Sequence, residues 1–157
     1  MNDEKFMIQR LQENLSTLRK IGGWTTQDLG EKIGVTKQTI SNLENKKSTM
    51  TKLQYIGLRS VLDREATFDT ANAKLLKEAM DILLDAELSS EEQGHYEEKM
   101  KLAAAAISGG ATVSSVAKNV VTSETIAVAN GPALGVISGV SLAAGTVGWL
   151  NKLMNKK

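Results

Sequence analysis

In residues 35–47, VTKQTISNLENKK, helical spacing sorts two kinds of side chain. Val35, Ile40 and Leu43 fall on one side of a helix. Lys37, Gln38, Thr39, Ser41 and Asn42 fall on the other, a set of donors and acceptors without a carboxylate. The only acid, Glu44, sits beside the apolar seam. The chemistry such an edge can do is hydrogen bonding to nucleobases in a groove lined by phosphates. Gln and Asn can bond adenine bidentately, Lys can reach guanine, and Thr can touch a polar edge or a thymine methyl. A carboxylate there would be repelled by the phosphates.

Other candidate chemistry is sparse. His95 is the only histidine, and Glu92-Gln93-Gly94-His95 has the Glu-x-x-His spacing of carboxylate di-metal bundles. Such sites need two of these motifs plus further glutamates, so the single copy reads as a surface histidine and no metal is expected. GGATVSS, residues 109–115, is glycine-rich but lacks the lysine of a phosphate-binding loop. No Ser/His/Asp set or nucleotide fingerprint is present. The expectation is a protein that is not an enzyme and uses no cofactor.

The elements that must position the polar edge are short helices. Leu11, Leu15, Leu18 and Ile21 recur at three and four within residues 4–21, with Phe6 and Met7 a turn earlier, and Gly22-Gly23 ends that helix. Thr25 with Asp28 is close to a capping box for a second helix, with Leu29 and Ile33 inward and Gly34 closing it. Thr36 caps a third helix reaching about Lys46. A fourth, from Ser48 or Thr51, carries Leu53, Ile56, Leu58 and Leu62. Helix 25–33, a tight turn at 34–35 and helix 36–46 make a helix-turn-helix arrangement. A fragment that merely packs accounts for Ile33, Val35, Ile40 and Leu43, but not for an acid-free outer face.

The residues TTQDLGEKIGVTKQTISNLENKK resemble the Cro/repressor-type helix-turn-helix of phage repressors and of the bacterial xenobiotic-response-element regulators. The matching positions are Thr25-Thr26, Leu29-Gly30, Gly34-Val35-Thr36, Lys37-Gln38, Ile40 and Leu43-Glu44-Asn45-Lys46. The resemblance covers about residues 8–63 and implies a five-helix-type DNA-binding domain. It implies that Arg19 pairs with Glu44, which accounts for an acid beside the core. It places Lys37, Gln38, Thr39 and Asn42 at base-reading positions. It places Thr26, Thr36, Asn45, Lys46 and Lys47 where such proteins touch phosphate. Three positions depart from the pattern: Gly30 stands for a usual Ala, Thr26 for a usual Gln, and Lys46 for a usual turn Gly. Repression, rather than activation, comes from the resemblance alone.

Charge divides the chain into three. Residues 1–60 hold ten Lys/Arg and six Asp/Glu, residues 61–101 five and eleven, and residues 102–157 four and one. With the helical pattern, this suggests a DNA-binding head over 1–66, an acidic helical connector over 67–101 and a Gly/Ala-rich apolar region over 102–157. In the connector, Leu76, Ala79, Met80 and Leu83 share a stripe in 71–88, and Ser89-Ser90-Glu91-Glu92 caps a helix from 90 to about 107. Few aromatics and a single proline, Pro132, favour an all-α chain. The absence of cysteine excludes disulfides and thiolate metal sites, and MNDEKFMIQR has no apolar core of a secretory signal.

One helix-turn-helix module makes a small interface, and affinity normally needs two copies on half-sites about 34 Å apart. Gly131, Gly135 and Gly139, with Ala143 next, repeat every four residues and would form a smooth ridge for close helix approach, a glycine zipper. Residues 102–157 are therefore expected to join copies of the chain into a homo-oligomer. Association with a membrane is the alternative, since residues 133–150 make about 18 uncharged positions, near the lower bound for a span. A disordered or aggregating tail is a third possibility. The sequence reading is thus a cytoplasmic, nucleoid-associated DNA-binding repressor, with a membrane-associated protein or effector carrying a helix-turn-helix head as alternative.

Overall fold

The computed structural model describes residues 3–113, 115–116 and 153–154, and every regular element among them is helical. They are α1 (Asp3–Ile21), α2 (Thr26–Ile33), α3 (Lys37–Glu44), α4 (Lys52–Glu65), α5 (Ala71–Met80), a π-helical turn (Asp81–Asp85) and α6 (Ser90–Ser108). The glycine repeat at 131–139 and the stretch 133–150 lie outside the described residues, as does most of 102–157. Among the described residues, no helix is long and apolar enough to cross a membrane.

Local chemistry sets the starts of these helices. Thr25 and Asp28 cap each other reciprocally: Asp28 N donates to Thr25 Oγ1 at 3.0 Å, and Thr25 N donates to the Asp28 carboxylate at 2.9 Å. The same reciprocal box opens α4 with Thr51 and Gln54 and opens α6 with Ser89 and Glu92. The backbone amides of Thr25 and Ser89 hold the carboxyls of Asp28 and Glu92 below their ordinary values.

One apolar cluster joins all the helices, and α1 is its shared wall. Leu11, Leu15, Leu18 and Ile21 are fully buried there. Leu29, Ile40, Leu43, Leu58 and Leu62 pack into it from the helix-turn-helix side, and Leu75, Leu76, Met80, Leu83, Tyr96 and Met100 from the other. Leu153 is buried in the same cluster. The same core runs on past residue 66: α5, the π-helical turn and α6 lie on α1, with Glu87, Glu91, Glu92 and Glu98 exposed and Asp81 buried.

Two elements differ from the pattern read in sequence. In α4 the inward stripe is Tyr55, Leu58, Arg59 and Leu62, whereas Leu53 is 79% exposed. The stretch 71–88 is not one α-helix. It widens into the π turn after Met80 and becomes extended at Ala86. That widening lets Asp81, Ile82, Leu83 and Leu84 all be buried in succession, which a 3.6-residue repeat on a one-sided face does not allow. Two arginines fix the turn's end. Arg59 Nη2 donates to Asp85 Oδ2 at 2.6 Å, and Arg10 donates to Ala86 O at 3.2 Å and to Gln93 Oε1 at 2.6 Å. Burial opposes charge on Arg59, and the nearby Asp85 and Asp63 more than offset it, so its pKa is raised.

Candidate nucleic-acid interface

The turn between α2 and α3 is tighter than an ordinary side chain permits. Gly34 adopts φ +79°, a left-handed cap that favours glycine. Val35 N donates to Gly30 O at 2.9 Å. A Cβ placed on Gly30 would lie 2.7 Å from Val35 O, a backbone atom that cannot swing aside. The glycine at 30 therefore matches an unusually close approach of α2 to the start of α3.

Thr36 then caps α3. Its Oγ1 accepts from Thr39 N at 3.1 Å and lies 3.0 Å from Thr39 Oγ1. Ile40 and Leu43 carry the inward side and are fully buried. On the outer side, Lys37 and Gln38 are exposed, and Thr39 and Asn42 are half-buried. Gln38 Nε2 donates to Asn42 Oδ1 at 2.9 Å, which links the two amides one turn apart along the helix. The first turn of α3 contains no acid.

Glu44 ends α3 in a bidentate pair. Arg19 Nε and Nη2 donate to its two oxygens at 2.6 and 3.0 Å, and Arg19 Nη1 donates to Trp24 O at 2.8 Å. The side chains are 12% and 9% exposed. The acid is thereby neutralised and turned away from the outer edge of α3.

The residues after α3 extend that edge. Asn45, Lys46 and Lys47 are exposed, and Asn45 Nδ2 donates to Ser41 O at 2.9 Å. Lys46 adopts φ +57°, the left-handed conformation that glycine takes at lower cost. Thr36 is exposed at the start of α3, and Thr26 is half-buried as the first residue of α2. The base-reading candidates thus share one helix. Of the phosphate candidates, Thr36, Asn45, Lys46 and Lys47 flank that helix, and Thr26 stands apart on α2.

Two supports of this surface are absent from the sequence reading. Gln12 on α1 bonds three backbone groups near the end of α3. Lys52 at the start of α4 is bridged to Glu4 of α1 at 3.3 Å. A possible signal for Gln12 is its place in the series Gln12, Leu15, Arg19, which keeps it on the face of α1 that meets α3.

Residues 15–56, from the middle of α1 to the start of α4, match the helix-turn-helix family model. No curated protein and no solved structure is matched. The segment is a Cro/repressor-type helix-turn-helix, and the protein is a DNA-binding transcriptional regulator. That family is a regulatory one rather than an enzymatic one.

Proposed function

We propose that the protein is a sequence-specific repressor that lays α3 in the major groove of duplex DNA. The observation that carries this reading is the outer edge of α3: exposed Lys37 and Gln38 with Asn42 bonded to Gln38, and Glu44, the one acid of α3, held by Arg19. Lys37, Gln38, Thr39 and Asn42 read base edges. Thr26, Thr36, Asn45, Lys46 and Lys47 hold phosphates on either side and set the register. Capping Thr39 N through Thr36 keeps the first turn of α3 rigid, so Lys37 and Gln38 enter the groove on an ordered backbone. Repression follows when the bound module occludes polymerase, which places the protein's work at the nucleoid in the cytoplasm.

Two copies acting together supply the affinity that one module lacks, with residues 102–157 joining them. A duplex selected from a random pool by the full chain tests the reading. Its affinity should fall steeply with salt. Gln38→Ala should relax base preference at one position, a loss of about 1–3 kcal/mol, while Lys47→Ala should weaken all sequences alike. Retention of the wild-type preference by Gln38→Ala would remove α3 from the groove.

A further inference from the structure

We propose that Gln12 is the positioning residue for the phosphate-contacting loop, an inference that rests on the DNA reading above. The loop from Asn45 to Met50 has little apolar anchorage of its own: residues 45–49 are all exposed, and only Met50 is buried. Lys46 stands in the left-handed region, a conformation that a lysine does not hold by preference. Lys47 N donates to Asn42 O of α3 at 2.8 Å, which ties the start of the loop, and its far end at Ser48 and Met50 is held from α1.

The Gln12 amide does this from α1 with its entire hydrogen-bonding capacity on the nitrogen side and its oxygen as well. Nε2 donates to Leu43 O at 3.0 Å and to Ser48 O at 2.7 Å. Oε1 accepts from Met50 N at 3.0 Å. These three backbone groups bracket Asn45, Lys46 and Lys47. Leu43 O also accepts from Lys46 N at 3.2 Å, so Gln12 and the strained residue share one carbonyl. Seven residues further along α1, Arg19 holds Glu44. Helix α1 thus grips the last turn of α3 through Arg19 and the following loop through Gln12. Glutamine fits the task because only a primary amide offers two donors and an acceptor in one plane. Gln12→Met keeps the length and removes all three bonds.

The consequence is a division of labour: Gln12 governs where Lys46 and Lys47 present their charge and leaves base reading to α3. The test uses the full chain, wild type and Gln12→Met, with Gln12→Asn as a second variant too short to span the three groups. Two measurements are made. One is hydrogen exchange at the Met50 amide. The other is affinity for a mixed-sequence duplex and for a duplex selected by the wild type, each across a salt series.

Both variants should exchange the Met50 amide about tenfold faster, the effect of losing one net hydrogen bond. The slope of log affinity against log salt should become shallower by about one to two phosphate contacts, while preference between the selected and mixed duplexes is kept. On a Lys47→Gln background, Gln12→Met should change the slope less than it does alone. If the wild type binds neither duplex at low salt, the DNA reading fails and takes this inference with it. If the wild type binds and the folded variants keep its slope, the inference alone is overturned. A simple packing role predicts faster exchange with an unchanged slope, and that outcome also overturns it.

Discussion

Two regions share α1 as a support and are attached to it differently. The helix-turn-helix side adds polar latches to its buried Leu29, Ile40 and Leu43: Gln12 bonds three backbone groups and Arg19 holds Glu44. The side made by α5, the π turn and α6 is attached by a broad apolar face, with Arg10 and Arg59 at its edge. A surface that must stay open to a partner cannot be fixed by burying it, so directional bonds from behind set its position. A region whose inner face has no such duty can be held by undirected apolar contact, and its register is then set by a few arginine bonds.

The sharpest break in this comparison is Arg19→Met. It leaves Glu44 as a nearly buried carboxylate without its partner, at a cost of about 3–5 kcal/mol. Denaturant unfolding should show that loss, and adding Glu44→Leu should recover most of it. Recovery would mark the pair as a positioning device rather than a source of net stability.

Leu83→Ala in the π turn should cost about 2–5 kcal/mol, because Leu83 is fully buried. Since one core spans both regions, the variant should still unfold in a single transition seen by circular dichroism and by emission from Trp24, with Trp149→Phe removing the second tryptophan. Two separated transitions would show that the regions fold independently. Lys46→Gly acts on the helix-turn-helix side only. Relief of the left-handed backbone should stabilise the fold by about 1 kcal/mol, yet duplex affinity should fall because a proposed phosphate contact is lost. Stability and binding measured on the same sample would separate the two effects.

The smallest effect belongs to Glu78 on α5, whose carboxyl is pushed above its usual 4.5 by burial. The native state then holds the proton more tightly than the unfolded chain does. Stability associated with the protonated acid is present at low pH and is lost as pH rises above 4.5. Glu78→Gln should therefore raise the melting temperature slightly at neutral pH, and the gain should vanish below the ordinary carboxylate range.

Much of the helix-turn-helix was legible because its signals are local. Thr25 with Asp28, Gly34 and the seam of Ile40 and Leu43 act within a turn or two of chain. The π turn was not legible, since α-helical spacing in 71–88 continues unbroken through it and only Arg10 and Arg59 define where it stops. Gln12 carried only a weak signal, its place in line with Leu15 and Arg19. Beside Gln9 and Glu13 it looks like any polar helix residue, and its bonds close over separations of 31, 36 and 38 residues.

The amino-acid order alone determined which segments of the helix-turn-helix side become helices, where most of the helices start, and that one short helix carries an amide-and-lysine edge free of acid. Those properties follow from capping and from the 3.6-residue repeat, which act between near neighbours. Only the tertiary structure decided that the acidic stretch lies on α1 as part of the same core, that Gly30 marks a close backbone approach, and that Gln12 bonds the backbone on either side of Lys46 and Lys47. These depend on contacts between residues far apart in the chain, and such contacts leave no periodic trace in the sequence.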